Sequence, residues 1–226
     1  MILITGASKG IGKFLFHKFS EKGFPIFGTF YSTKPQDFDS GRYSQVQVEN
    51  FSSVKKWIDS IPNKENIVLI NCAGINYNCF AHKCDVDRWR EVIDVNLIGT
   101  FNAIRAVLPT MRNDNYGRII NFSSIVAQSG VLGASAYAAS KSGLWGMAKS
   151  IAKENGSKNI TINNLNLGYF DIGIISEVPK DYQNKIKSQI PSGEFGNPEE
   201  IYKAVNFLIN SDYVNGTSID INGGLY

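Results

Sequence analysis

The sequence predicts an α/β fold, a doubly wound sheet of about seven parallel strands with helices on both faces. Short apolar runs alternate with helical patterns from one end of the chain to the other, and each run is about five residues long. Runs of this length between helices are typical of parallel strands that are buried on both faces. Because crossovers between such strands are right-handed, the helices cover both sides of the sheet.

The individual elements follow from these patterns in chain order. The first strand is an apolar run at the start of the chain, and the helix after it carries Ile11, Leu15, Phe16 and Phe19 on one side. The predicted strands are Ile2–Thr5, Pro25–Phe30, Ser44–Val48, Ile67–Asn71, Arg118–Phe122, Thr161–Asn166 and Ser218–Ile221. The predicted helices lie near 11–22, 52–60, 85–112, 136–155 and 198–210.

A single domain is predicted over residues 1–226, because the chain shows no linker, low-complexity segment or internal repeat. Residues 168–196 follow the sixth strand and carry four glycines and two prolines, with a short helix predicted near 180–188. Segments at the carboxyl edge of a parallel sheet commonly bind ligands. We therefore expect a substrate lid at about 168–196, with an ordinary connecting loop as the alternative.

Composition argues against two classes of partner. The net charge is +3 and the pI about 8.6, with no block of Lys or Arg longer than two, so we expect no nucleic acid. No continuous apolar run approaches the roughly 20 residues of a membrane helix, so we expect no membrane span. Since the first strand begins at Ile2, a signal peptide has no room and a cytoplasmic location is expected.

The three cysteines are an odd number, which argues against a disulfide framework. Cys79 and Cys84 flank His82, and this cluster invites a zinc site. Structural zinc sites pair two close ligands with a second close pair elsewhere, which this chain does not offer. We therefore expect no metal, a buried Cys72 at a strand end and two loop thiols.

Gly6, Gly10 and Gly12 lie at the junction of the first strand and the first helix. The first glycine permits a tight turn, the second a close approach to a pyrophosphate, and the third close packing of helix and strand. The N–H groups and dipole of the helix then face the phosphates. A merely glycine-rich turn is the alternative, but the position at the first strand–helix junction favours a dinucleotide (Rossmann) site.

The spacing of this glycine run resembles that of the short-chain dehydrogenases/reductases. The resemblance continues, in the family's order, through Asn71-Cys-Ala-Gly74, Asp94-Val-Asn96-Leu, Asn121-Phe-Ser-Ser124, Tyr137-Ala-Ala-Ser-Lys141, Gly196-Asn-Pro-Glu-Glu200 and Asp220-Ile-Asn-Gly-Gly224. In its glycine motif, its Pro191–Gly196 segment and its C-terminal end the chain looks most similar to bacterial 3-oxoacyl-[acyl-carrier-protein] reductases and their relatives. The resemblance implies an oxidoreductase that interconverts a carbonyl and a secondary alcohol with a nicotinamide dinucleotide.

The chemistry of carbonyl reduction calls for a proton donor beside the oxygen that gains charge. A tyrosine suits this role when a nearby cation favours its phenolate, and Lys141 lies on the same helix face as Tyr137. The resemblance implies that Tyr137 is the general acid/base, that Lys141 tunes it and holds the ribose, and that Ser124 positions the carbonyl. It also implies that Asn96 supports a proton relay to Lys141. Ser124 is preferred to Ser123 because of its spacing from the tyrosine.

The second strand indicates the form of the cofactor. An NAD site generally presents a carboxylate at the end of this strand, whereas here no acid occurs until Asp37, and Lys9 adds a cation nearby. Both favour NADP(H), with solvated surface charges as the alternative interpretation of Lys9 and Lys34. The cofactor contacts implied by the resemblance are Gly6, Ser8, Lys9, Gly10, Ile11, Gly12, Tyr31, Ser32, Thr33, Gln47, Val48, Asn71, Ala73, Gly74, Tyr137, Lys141, Gly168 and Ile172.

Four departures from the family pattern concern this site. Leu167 stands where relatives have a proline, and Ile172 takes the place of a threonine that usually helps hold the nicotinamide. Gln47 replaces an aspartate near the adenine, and Cys72 replaces an asparagine. The predicted substrate contacts are Ser124, Tyr137, Asn76, Gln128 and Tyr169, which suit a 3-oxoacyl, a polyketide-like or a sugar-derived carbonyl alike.

Two other functions are open at this stage, along with the assembly. A non-catalytic NADP(H)-binding sensor on the same fold is the main alternative, although such proteins typically lose the tyrosine or lysine. A nucleotide-sugar epimerase or dehydratase would need a further substrate domain. Apolar residues on more than one side of the helices near 85–112 and 136–155 predict a homo-oligomer, a tetramer or a dimer.

Overall fold

The computed structural model describes residues 1–173, 175 and 178–226. Its strands form one parallel sheet in the order β3-β2-β1-β4-β5-β6-β7. They are β1 (Ile2–Thr5), β2 (Ile26–Phe30), β3 (Tyr43–Gln45), β4 (Val68–Asn71), β5 (Gly117–Ser124), β6 (Ile160–Leu167) and β7 (Ser218–Ile221). The predicted fold class, a doubly wound parallel sheet, is confirmed. Strands β1 to β3 are added towards one edge of the sheet and β4 to β7 towards the other, so the strand order reverses between β1 and β4. Ligands bind at this position in such folds.

Helices alternate with these strands, as predicted. They are α1 (Gly10–Glu21), α2 (Phe51–Ser60), α3 (Val86–Ile93), α4 (Gly99–Asp114), α5 (Val126–Ser129), α6 (Ser135–Asn155), α7 (Lys180–Gln189) and α8 (Pro198–Ile209). A π-helical turn, Asp94–Ile98, joins α3 to α4. Side-chain oxygens of Asn50, Asp85 and Asn197 cap the first turns of α2, α3 and α8.

Alternating strand residues supply two apolar layers. Ile4, Ile70 and Ile120 belong to the layer that α1 and α8 cover. Leu3 and Leu69 belong to the opposite layer, which α2, α4 and α6 cover. Each central strand is therefore buried on both faces, which explains its short and continuously apolar sequence.

Strand lengths differ from the prediction at two places. β5 and β6 pair over eight residues, from Gly117 beside Ile160 to Ser124 beside Leu167. The β5 extension consists of Gly117, Ser123 and Ser124, which do not continue the apolar pattern, whereas β6 gains Ile160 and Leu167 at its two ends. β3 is shorter than predicted because it is an edge strand that pairs with β2 alone.

Three buried amide side chains, Asn71, Asn121 and Asn164, form a row across the sheet beneath α4 and α6 that ends at the half-buried hydroxyl of Ser218. We call these four residues the amide ladder. Asn71 Nδ2 donates to Asn121 Oδ1 at 2.9 Å, and Asn121 Nδ2 donates to Asn164 Oδ1 at 3.1 Å. Asn164 Nδ2 donates to Ser218 Oγ at 3.0 Å. These residues are direct neighbours in the strand register, so the ladder links β4, β5, β6 and β7.

The helical stretch Val86–Asp114 bears on the expectation that no segment has the length and composition of a membrane span. In the described part of the chain it is long and apolar enough, by length and composition alone, to cross a membrane, and 44% of its most apolar window is buried within the protein. Asn102 Nδ2 in this stretch donates to the carbonyl oxygens of Val48 and Glu49, both at 3.0 Å. The stretch thus packs as a core helix of this fold; a search for continuous apolar runs missed it because polar residues interrupt it.

The predicted lid falls partly outside the described residues, which omit 174, 176 and 177. Where it is described, it contains α7, and Ile175, Ile190 and Phe195 form a small separate apolar cluster. Asp171 N–H donates to the carbonyl oxygen of Gly196, which ties the two ends of the segment together. A lid function for this segment remains a prediction.

Candidate active site

The loop between β1 and α1 is folded tightly against its neighbours. Gly6 has φ +67°, and a Cβ there would lie 2.8 Å from the backbone of Ala73. Its N–H donates to Thr29 Oγ1 at 3.1 Å. A Cβ at Gly12 would collide with the carbonyl oxygen of Gly6. Within the described residues no side chain caps the first turn of α1 after Lys9, so its N–H groups stay available to an anion.

Ser124, Tyr137 and Lys141 meet at the carboxyl edge of the sheet. Ser124 is the last residue of β5, and its side chain hydrogen-bonds Tyr137 from the first turn of α6. Lys141 Nζ lies 5.6 Å from the centre of the Tyr137 ring and donates to the carbonyl oxygen of Phe122 at 2.7 Å. The structure therefore brings together the hydroxyl, the phenol and the amine that the sequence pattern predicted.

Burial dominates the electrostatics of this group. It raises the pKa of Tyr137, and the hydrogen bond from Ser124 opposes that rise. Burial also lowers the pKa of Lys141 to about 8, while the neighbouring Cys72 acts in the opposite direction. In the protein without ligands, burial therefore outweighs the lowering of the Tyr137 pKa that was expected from Lys141, and the phenol is protonated near neutral pH. Lys141 keeps its proton only up to about pH 8.

Asn96 is completely buried in the π-helical turn. Its Oδ1 accepts the N–H of Ile75 at 2.8 Å, and its Nδ2 donates to the carbonyl oxygen of Ile75 at 2.9 Å and to Ser140 Oγ at 3.1 Å. Thr100 Oγ1 donates to the Asn96 carbonyl oxygen. The side chain thus ties the loop after β4 to α6 at Ser140, the residue before Lys141. Its part in a proton relay remains a prediction.

Ser123, rejected as the catalytic serine, has a different place in the structure. Its hydroxyl donates to the carbonyl oxygen of Lys141 at 3.2 Å and accepts from Trp145 Nε1 at 3.0 Å. Trp145 Nε1 also donates to Asn166 Oδ1 at 3.0 Å. Sequence analysis missed this junction, which fixes α6 on β5 and β6; an indole one helical turn beyond Lys141 was the signal for it.

The loop after β2 forms the edge that would distinguish the two forms of the cofactor. Three predicted contacts here are exposed: Tyr31, Ser32 and Thr33. Lys34 Nζ lies 3.9 Å from the centre of the Phe38 ring. The first carboxylate, that of Asp37, lies 3.6 Å from His17 Nε2 on α1. Hydroxyl groups and a cation, rather than a carboxylate, therefore follow β2, and the predicted contact Lys9 is likewise exposed.

The predicted contacts after β3 and β4 differ in accessibility. Val48 is buried, whereas Gln47 is exposed. A Cβ at Gly74 would lie 3.2 Å from Asn96 Oδ1 and 3.7 Å from Lys141 Nζ, so this glycine leaves space beside the amine. The predicted contact Asn71 is committed to the amide ladder.

Four further predicted cofactor contacts lie in two places: Ser8 and Ile11 at the β1–α1 junction, and Gly168 and Ile172 after β6. Ser8 and Ile11 are half-buried, and Ile11 packs on the core beneath α1. A Cβ at Gly168 would lie 2.7 Å from Asn222 Cα, so glycine serves the packing of β6 against the end of β7. Ile172 is half-buried and packs on the same core as Ile11. Contacts of these residues with a cofactor remain predictions.

The three substrate residues predicted beyond the catalytic pair are in different environments. Asn76 is exposed. Gln128 Nε2 donates to the Asp220 carboxylate at 2.9 Å, an interaction the sequence did not suggest. Tyr169 packs with Phe195, with 6.5 Å between the ring centres. Of the three, Asn76 is the one whose side chain is open to solvent.

The cysteines correct one expectation. Cys79 and Cys84 form a disulfide with 5.3 Å between their Cα atoms, so they are not two separate loop thiols. A single 3₁₀ turn, Ala81–Lys83, brings them together. Cys72 is the free cysteine, and burial raises the pKa of its thiol. Among the described residues no cluster of His, Cys, Asp and Glu could hold a metal ion.

Comparisons with known proteins agree with this geometry. The family model described as short chain dehydrogenase matches residues 1–183. An acetoacetyl-CoA reductase from Rhizobium meliloti is 34% identical over 234 residues, covering 99% of this chain and 97% of the relative. The 3-oxoacyl-[acyl-carrier-protein] reductases FabG of Vibrio cholerae and Escherichia coli are 32% and 31% identical, and each match covers 99% of this chain and 96% of the relative.

Proposed function

Because the chain belongs to the short-chain dehydrogenase family and is an oxidoreductase of that family, we propose that it reduces a carbonyl to a secondary alcohol with NADPH. The observation that carries this proposal is the meeting of Ser124, Tyr137 and Lys141 beside the glycine loop. A sensor that only binds the dinucleotide has no need for a half-buried phenol next to a buried amine.

The glycine loop fits a dinucleotide. A Cβ at Gly6 would collide with the backbone of Ala73, and Gly10 has φ +54°, with 3.4 Å between the position of a Cβ there and Gly173 Cα. The first turn of α1 has no acidic residue and, among the described residues, no side-chain cap. Phosphate oxygens are suitable acceptors for those N–H groups. NADP(H), when bound, supplies or accepts the hydride.

We assign the proton chemistry to this chain's own residues. The hydroxyl of Ser124 donates a hydrogen bond to the substrate oxygen and orients it towards Tyr137. The phenol of Tyr137 gives its proton to that oxygen as negative charge develops there. Lys141 then stabilises the phenolate by its charge and returns a proton to it, while the carbonyl of Phe122 holds the amine in place. In the oxidation direction each transfer reverses.

The preference for NADPH rests on charge at the end of β2. A ribose 2′-phosphate would meet exposed hydroxyl groups and the cation Lys9, and no carboxylate would repel it before Asp37. The curated relatives carry names that describe reduction of acetoacetyl-CoA and of 3-oxoacyl-carrier-protein thioesters. We therefore propose a 3-oxoacyl thioester as the substrate class, and a cytoplasmic homo-oligomer as the working form.

The test is an assay of acetoacetyl-CoA reduction in which the oxidation of NADPH is monitored as a decrease in NADPH absorbance. Tyr137→Phe should remove nearly all turnover while NADPH still binds, because the glycine loop remains intact. Tyr213→Phe is the matched control, since that tyrosine is fully exposed on the loop before β7. NADPH binding without turnover of any 3-oxo thioester, diketone or keto-sugar by the parent protein would favour the sensor instead.

A further inference from the structure

The pair Cys79 and Cys84 lies in the segment that follows the carboxyl end of β4. This segment begins at Gly74, where a Cβ would lie 3.7 Å from Lys141 Nζ. Its next residue, Ile75, is held by the buried Asn96. The disulfide therefore closes a ring of six residues, 79–84, within a segment whose first part lies beside the Lys141 amine.

The same segment also contacts the region between β5 and α6. Cys79 N–H donates to the carbonyl oxygen of Gly133 at 2.8 Å, and a Cβ at Gly133 would lie only 3.5 Å from Cys79. Gly133 precedes Tyr137 by four residues and lies in the loop just before α6. Beyond the bridge, Trp89 Nε1 donates to Ser135 Oγ at 3.1 Å, at the start of α6. The ring of residues 79–84 thus packs on the loop that leads into the helix bearing Tyr137, and we call this ring and that loop the wall.

We propose that Cys79 and Cys84 are a reversible redox-modification site that sets the rigidity of this wall. Both cysteines are partly exposed, so a small reagent can reach them. Their Cα atoms lie 5.3 Å apart, on either side of the single 3₁₀ turn Ala81–Lys83. Cys84 Sγ also lies 3.5 Å from the Cys79 carbonyl oxygen, an acceptor for the thiol once the bridge is open.

The reaction partner is a low-molecular-weight disulfide. The thiolate of one cysteine attacks it, forms a mixed disulfide and releases one thiolate. The second cysteine then attacks the protein sulfur of the mixed disulfide and releases the other thiolate. Two electrons pass from the protein thiols to the reagent, and the two protons lost by the cysteines convert the released thiolates to thiols. Excess external thiol drives the same steps backwards.

The first experiment needs no enzyme activity. The intact protein is equilibrated in mixtures of reduced and oxidised glutathione, alkylated, and weighed by mass spectrometry with peptide mapping. Cys79 and Cys84 should lose alkylation together as the mixture becomes oxidising, and dithiothreitol should restore it. Alkylation of both thiols in every mixture, or a bridge that dithiothreitol does not open, would overturn the assignment.

The second experiment rests on the proposed function and measures acetoacetyl-CoA reduction in both redox states. Opening the bridge should raise KM by about threefold or more, because the substrate must then order a looser wall, and should change kcat less. Cys79→Ser/Cys84→Ser should show the higher KM in both states. If the disulfide opens as expected but KM is the same in both redox states, the proposed effect of the disulfide on the wall is refuted. A parent protein without turnover would instead count against the proposed function, with the alkylation result still standing.

Discussion

Replacing Asn121 with alanine would test the amide ladder directly. The substitution removes the acceptor of Asn71 Nδ2 and the donor to Asn164 Oδ1. Asn71 is 3% exposed and Asn164 is fully buried, so water cannot readily replace either bond. Asn71 Oδ1 already has no hydrogen-bond partner within the described chain, which leaves that side chain no second bond.

The expected loss of stability can be built from these contacts. Each buried polar atom left without a partner costs about 1–3 kcal/mol, so two such atoms predict a loss of about 4 kcal/mol. At roughly 2–4 °C per kcal/mol for a chain of this size, Tm should fall by about 12 °C. Urea denaturation and differential scanning calorimetry measure the two quantities independently.

Two further variants sharpen the test. Asn206→Ala on the exposed face of α8 is the control, and its effect should stay within about 0.5 kcal/mol. Asn164→Ala should lower the free energy of unfolding less in the Asn121→Ala background than in the parent protein. In that background Asn164 Oδ1 has already lost its donor, and the second substitution removes this unpaired acceptor. A loss below about 1 kcal/mol in Asn121→Ala, or strict additivity of the pair, would refute the ladder as a stabilising unit.

Three other predictions concern the cofactor, pH and assembly. NADPH should bind at least about tenfold more tightly than NADH, roughly 1.4 kcal/mol, and Lys9→Ala should narrow the gap; equal affinities by fluorescence titration would contradict this. The rate of carbonyl reduction should fall as the pH rises through about 8, because burial gives Lys141 a pKa near that value and the amine carries its proton only below it. A pH–rate profile flat beyond pH 10 would count against Lys141 as the proton source. Ile98 on the π-helical turn, Phe101 on α4 and Phe207 on α8 are exposed apolar side chains, so a homo-oligomer is expected; a light-scattering mass of 25 kDa, that of one chain, would exclude it.

Much of the fold could be predicted because its signals are local. Apolar runs such as Ile2–Thr5 mark buried strands wherever they occur, and the glycine loop needs only its own spacing. The group of Ser124, Tyr137 and Lys141 was found through the order of family motifs, and the structure places the three side chains together. Local pattern and tertiary position agree there because β5 and α6 are consecutive major elements.

Features that depend on distant residues could not be predicted. Gln128 is held by Asp220, 92 positions away, so its sequence neighbourhood gives no sign of that bond. The bridge of Cys79 to Cys84 depends on a 3₁₀ turn that no apolar period reveals. The odd cysteine count was interpreted as evidence against a disulfide framework, and the expectation of two loop thiols overlooked that two of the three cysteines could pair and leave one free.

The π-helical turn between α3 and α4 divides one long helix into two mechanical parts. A regular helix is a stiff rod, and a change in direction at one end is carried to the other by its repeating hydrogen bonds. At Asp94–Ile98 that repeat is broken, and the Gly99 N–H reaches back to the Asp94 carbonyl oxygen. α3 packs against α6, and we expect substitutions in α3 to be absorbed at the wide turn before they tilt α4 on the sheet.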